Sequence, residues 1–239
     1  MRNGFSGELG LLTGQLAELA RLTVQSMSDA NAGLLEVDLA RAERAIAAER
    51  NIAALHGDCE GRALSMLALQ SPVATDLRML FSAIRISADL ARMGGQARHV
   101  AEAVRRRFPD SVVPPETRGQ FLEMGVLATA MADRARHALI EPDLQLLSRL
   151  RTDDDRMDEL HAQLTALITG ESWPHGVISA VDLTLLAGFY ERFADHAVNV
   201  AERIVFLVTG ARPPAARTLA PSASITGAAP AGAETMRYA

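Results

Sequence analysis

The chain has 239 residues, of which 49% are hydrophobic but only 4% aromatic, and a formal net charge of -5. A core drawn from Ala, Leu, Met and Val, with few rings and few β-branched runs, favours helices over sheets, and the acidic balance argues against non-specific nucleic-acid binding, which needs basic surface. Every one of the 24 basic residues is an arginine, which excludes Schiff-base and P-loop lysine chemistry.

Apolar residues at three- and four-residue steps (Leu9, Leu12, Leu16, Leu19, Thr23, Met27) predict a first helix over about 7–34. Asp38 is the expected N-cap of a second helix, which runs to about 70. Cys59 lies within it; a lone cysteine forms neither an intramolecular disulfide nor a thiol metal cluster, so it reads as a small core residue. Pro72 suits the first turn of a third helix, ending near the arginines at 105–107. The segment PDSVVPPET at 109–117 carries three prolines and reads as a linker. A fourth helix is expected over 116–140 and a fifth over 143–168, opened after Pro142. A turn follows at 170–176, and a sixth helix over 177–208 ends at Gly210. From 211 to 239 the composition shifts to Pro, Ala, Ser, Thr and Gly with few charges, which predicts a disordered tail. The N-terminal MRNGFSGELG lacks the apolar stretch of a signal peptide, and the longest apolar runs, such as IVFLV at 204–208, are far short of a membrane span. These features predict a cytoplasmic protein.

The two halves align with each other. Residues 52–56 match 157–161 at an offset of 105, and residues 91–95 match 191–195 at an offset of 100. The expected fold is therefore all-α, with two pseudo-repeated three-helix bundles. Residues 1–108 form the first bundle, 109–117 the linker and 118–210 the second bundle.

Chemistry concentrates in ERFADHAVNVAE at 191–202. With Glu191 at zero on a helical wheel, Asp195, Asn199 and Glu202 fall at about 40°, 80° and 20°, so four oxygen-bearing side chains share one stripe. Leu186, Phe189, Phe193, Val200, Ile204 and Leu207 lie on the opposite side, so the stripe faces away from its own bundle core. Like charges one turn apart destabilise a helix, and a bound cation is the leading candidate to offset them. The ordinary alternative is a solvated face bridged by Arg192 and Arg203, contributing little. A second acid group, Asp153, Asp154, Asp155 and Asp158, lies on the fifth helix and meets the stripe if the fifth and sixth helices are neighbours. Oxygen donors without cysteine suit Mg²⁺, Mn²⁺, Ca²⁺ or iron better than a structural zinc site. His161 is either a polar helix residue or a neighbour of this group, and His196 lies beside the stripe. In the first half the corresponding positions are Glu49, Ala53, Ala91, Gly95, His99 and Glu102, too few carboxylates for a cage.

QSPVATDLRMLFSAIRISADLARMGGQARHVAE at 70–102 and FYERFADHAVNVAERIVFLVTG at 189–210 resemble the PhoU family of phosphate-signalling regulators, in its actinobacterial branch. The resemblance extends over most of residues 7–210. It implies two three-helix bundles in a cytoplasmic, commonly dimeric, non-enzymatic protein. It implies negative control of the phosphate-starvation response, linking the Pst phosphate ABC transporter, at its ATPase subunit, to a PhoR-type sensor histidine kinase. Membrane association is then peripheral only. It also implies a metal cation bound by carboxylates (iron, Mn, Mg or Zn) at Asp154, Asp158, Glu191, Asp195, Asn199 and Glu202. Departures at Ala53, Ala91 and Gly95 predict one occupied site in the second half and a vestigial one in the first. Two other readings compete. A ferritin-like di-metal oxidase needs inward glutamates and two Glu-x-x-His motifs, and no such motif occurs here. A purely structural helical module would use its acids only to bind water and arginine.

Overall fold

A computed structural model describes residues 2–211; the expected tail, beyond Ala211, lies outside the described residues. Among the described residues there are six long helices and no strand: α1 (Arg2–Glu36), α2 (Leu39–Gln70), α3 (Ala74–Arg107), α4 (Arg118–Ile140), α5 (Leu146–Ile168) and α6 (Gly176–Thr209). A single 3-10 turn, Pro115–Thr117, precedes α4. The fold is all-α, as the periodicity predicted.

Local chemistry explains where the helices start and stop. The Asp38 carboxylate accepts from the Arg41 amide at 3.1 Å, satisfying one of the free donors of the first turn of α2. α6 ends on Gly210 at φ 73°, where the absence of a Cβ permits the left-handed cap, and the Gly210 amide donates to the Phe206 carbonyl at 2.8 Å. Two helices start later than their prolines suggest. Val73 remains extended, so α3 opens at Ala74. Asp143 accepts from the Gln145 amide at 2.8 Å, and this local turn delays α5 to Leu146. Cys59 is buried in the core, and burial pushes its thiol up to about 11, so it packs as a small apolar residue.

Helices α1–α3 pack on one another, and α4 and α5 pack against α6. The two groups also share contacts, α1 lying on α4 and α3 on α6, and buried residues from all six helices form one continuous core. The α3–α6 pairing has a clear direction. Arg78 meets Phe206, Asp89 meets His196, Gln96 meets Arg192, His99 stacks on Phe189 and Arg107 pairs with Asp182. The rising numbers on α3 face falling numbers on α6, so the two helices run antiparallel along their whole length. Because residues 91–95 correspond to 191–195, this seam relates the two repeats by a pseudo-two-fold.

One hydrogen bond between the halves is fully buried. The Tyr190 hydroxyl donates to Asn31 Oδ1 at 2.8 Å, with Tyr190 at 0% exposure. Asn31 reaches it across Gly125 of α4, where a Cβ would stand 2.0 Å from Asn31 Cγ. Leaving a buried acceptor without its donor costs about 1–3 kcal/mol. Tyr190→Phe is therefore expected to lower Tm by about 2–10 °C in a chain of this size. Gly125→Ala, which displaces Asn31 sterically, is expected to lower it at least as much. Calorimetry of both variants checks this; unchanged melting in both would show that the contact carries no stability.

Candidate functional site

α5 and α6 lie side by side, and their packing is set by apolar faces. Leu150, Met157, Leu160 and Leu164 on α5 are buried, as are Leu186, Phe193, Val200 and Ile204 on α6. The polar residues between those positions flank the shared groove. Asp154, Arg192, Asp195, His196, Val198 and Asn199 line a cleft of about 340 Å³. Asp158 and Glu191 continue the same acidic surface, as their electrostatic coupling to Asp154 and Asp195 shows.

The carboxylates compete for protons. Burial, then the charges of Asp195, Asp158, Asp155 and Glu191, push the Asp154 carboxyl up to about 7. Burial and the Glu191 and Asp155 charges raise Asp158; burial and the Glu191 and Asp158 charges raise Asp195. Glu191 goes the other way. Its carboxylate lies 3.0 Å from His161 Nδ1, and that hydrogen bond holds it below the usual carboxylate range while raising the His161 imidazole. His161, ambiguous in the sequence, is thus the partner of Glu191. His196, at the edge of the same cleft, is tied to α3, its Nδ1 lying 3.1 Å from the buried Asp89.

Five of the six sequence-derived ligands, Asp154, Asp158, Glu191, Asp195 and Asn199, sit on this acidic groove. Glu202 does not contribute in the same way: its Oε1 accepts from Arg151 at 3.0 Å, one turn before Asp154. Arg151 pairs with Glu202 and Arg134 of α4 with Asp153. Of the two arginines of the wheel, Arg192 lines the cleft and its charge favours ionisation of Glu191 and Asp195, while its side chain also stacks on Phe189 and donates to Gln96. Among the described residues no three His, Cys, Asp or Glu side chains converge tightly enough to enclose a metal ion. The arrangement is an open acidic groove with excess negative charge. Its donors are hard oxygens, so its chemistry fits a divalent cation.

The first repeat resolves the same problem internally. Arg98 of α3 ion-pairs with Glu49 of α2 at 3.1 Å and with Glu102 at 2.7 Å, while His99 Nδ1 lies 3.2 Å from Glu102. Burial opposes ionisation of Glu102, but the bonds from His99 and Arg98 win and hold its carboxyl below the usual range. The guanidinium occupies the place where a cation would neutralise the two remaining carboxylates. The position corresponding to Arg98 in the second repeat is Val198, which brings no charge. Sequence comparison found the missing acids of the first repeat but not this arginine, because its pairing depends on α2 and α3 lying together.

A PhoU domain model matches the chain twice, at residues 16–104 and 121–204. The chain is 44% identical over 213 residues to the phosphate-specific transport system accessory protein PhoU homolog 2 of Mycobacterium tuberculosis, covering 89% of this chain and 100% of that protein. It is 43% identical to PhoU homolog 1 of Mycobacterium leprae, covering 89% of this chain and 96% of the relative. Its fold matches the crystal structure of the phosphate transport system regulatory protein PhoU from Streptococcus pneumoniae with a TM-score of 0.79 at 26% identity, covering 88% of this chain and all of that one.

The raised carboxyls set a pH dependence. Asp154 is neutral in the folded state up to about 7 but ionises near 3.8 when unfolded, so the native state loses stability as pH rises between those values. Asp154→Asn removes that loss. In metal-free buffer it is expected to raise Tm at pH 8 by about 2–4 °C, equivalent to about 1 kcal/mol after solvent screening. At pH 3.5 it is expected to change Tm little. A variant equally stabilised at both pH values would remove the electrostatic explanation.

Proposed function

The chain belongs to the PhoU family, and on that premise we propose that it is a regulatory accessory protein of a phosphate transport system. It works by binding partners rather than by catalysis. The observation that carries this reading is the match to the mycobacterial PhoU homolog, over 89% of this chain and the whole of that protein, together with a PhoU domain match in each repeat. Within that role it restrains the phosphate-starvation response, relaying the state of a Pst-type ABC transporter to a PhoR-type sensor histidine kinase. It acts from the cytoplasm as a homodimer, meeting the membrane only through these partners. No described helix is long and apolar enough to cross a membrane, which agrees with that placement.

The acidic groove takes a divalent cation in the same proposal. Asp154, Asp158, Glu191 and Asp195 would supply carboxylate oxygens and Asn199 an amide oxygen; His161 orients Glu191. When bound, the cation supplies charge neutralisation between α5 and α6. The groove's uncompensated charge, against the Arg98-filled counterpart, supports one cation site in the second half and none in the first.

Two experiments test the proposal. Deleting the gene, together with any paralogue, is expected to raise transcription of phosphate-scavenging genes several-fold in phosphate-rich medium; unchanged transcription would refute negative regulation. Chelator-stripped, untagged protein is expected to gain Tm on addition of Mn²⁺ or Fe²⁺, because a ligand bound only to the folded state raises stability. Asp158→Asn with Asp195→Asn is expected to abolish that gain, and Glu49→Gln with Glu102→Gln to leave it intact. Equal gains in both double variants would place the cation elsewhere.

A further inference from the structure

One end of the α3–α6 seam carries charge of the opposite sign to the whole chain. Arg78 and Arg85 of α3 and Arg203 of α6 line a cleft of about 740 Å³, with Leu77, Phe81 and Phe206 as its apolar wall. Arginines on other faces, such as Arg62, Arg107, Arg134 and Arg156, have carboxylate partners. Here Arg85 and Arg203 have none among the described residues, and Arg78 has only a 3.3 Å bond to the Thr75 hydroxyl and a place 5.9 Å over the Phe206 ring. The Nε atoms of Arg78 and Arg203 are buried without an acceptor. Glu202 also lines the cleft, but its Oε1 accepts from Arg151 at 3.0 Å. Buried guanidinium donors are normally satisfied, so this set is short of an anionic partner.

The fold does not require these arginines. By the repeat offset, Arg78, Arg85 and Arg203 correspond to Ile178, Leu185 and Ala103 at the opposite end of the seam, where the same helix pair forms without them. Apolar side chains continue outward at four-residue spacing: Val73 is 74% exposed, Leu77 46% and Phe81 51%. An apolar row flanked by a basic row complements one ligand shape well, a helix with an apolar face and an acidic edge. The chain's own residues 212–239 lack that chemistry, carrying three arginines against one glutamate.

We propose that this cleft is a docking groove for an acidic amphipathic helix of another protein. The apolar face of the guest covers Leu77, Phe81 and Phe206, and its carboxylates accept from Arg78, Arg85 and Arg203. A small phosphate would use the arginines but leave the apolar row in water.

The test uses a labelled synthetic peptide of roughly 18 residues with leucines on one helical face and glutamates on its edges, and a counterpart with every Glu replaced by Gln. Fluorescence anisotropy is expected to show that the intact chain binds the Glu peptide, and at least about tenfold more weakly the Gln peptide. Arg85→Glu, Arg203→Gln and Phe81→Ser are each expected to weaken binding by about tenfold or more, as is raised salt. Arg85 is exposed, so its variant keeps the fold, which circular dichroism verifies. Truncation after residue 211 is expected to leave affinity unchanged. No binding of the Glu peptide, equal binding by Arg85→Glu, displacement by millimolar inorganic phosphate, or binding that emerges only on truncation would each overturn the proposal.

Discussion

The phenol of Tyr190 needs an acceptor inside the protein, and Asn31 is the residue that supplies it. That bond constrains three helices at once. Tyr190 belongs to α6, Asn31 to α1, and the bare backbone of Gly125 on α4 leaves the gap through which they meet. A buried hydroxyl gains little from its bond relative to water, yet loses much if left alone, so the contact acts mainly as a geometric specification. It sets the depth to which α6 enters the junction of the two halves. That depth in turn aligns α3 with α6, and the seam then fixes which side chains of each repeat face solvent.

On that frame the two repeats treat the same electrostatic difficulty in opposite ways. Each carries a glutamate near the end of its last helix, Glu102 or Glu202, within reach of an arginine. Each answers that glutamate with an arginine, but from different places: Arg98 from the same helix in the first repeat, Arg151 from α5 in the second. In the first repeat Arg98 also pairs with Glu49, so one guanidinium is shared between the two carboxylates. In the second, Asp154, Asp158 and Asp195 retain charge they hold only reluctantly, as their raised carboxyls show. Internal charge pairing is permanent, whereas an exchangeable counter-charge depends on its surroundings.

Local signals were legible in the sequence. The Asp38 cap and the Gly210 stop follow from backbone chemistry confined to a few residues, and the helix wheel placed Glu191, Asp195 and Asn199 on one side of α6. The late starts of α3 and α5 were not, because Val73 and Asp143 adopt conformations decided by neighbours beyond the prolines that drew attention. What the sequence withheld most is pairing between helices. His161 finding Glu191, Arg151 finding Glu202 and Arg98 finding Glu49 each require knowing which helix faces which. The repeat offset contained part of that information, since an antiparallel seam between equivalent helices is the arrangement in which a duplicated unit can pack on itself.

That antiparallel seam has a mechanical consequence. The acidic groove lies between α5 and α6, inside one repeat, so the ion proposed for it would act as a pin within a single half. The basic cleft lies where the start of α3 meets the end of α6, so a guest there touches both repeats and acts as a clasp. A pin of that kind would tie two helices of one half, whereas a guest in the basic cleft would bridge both halves. The two proposed sites would thus act at different levels of the fold, one within a repeat and one across the seam between repeats.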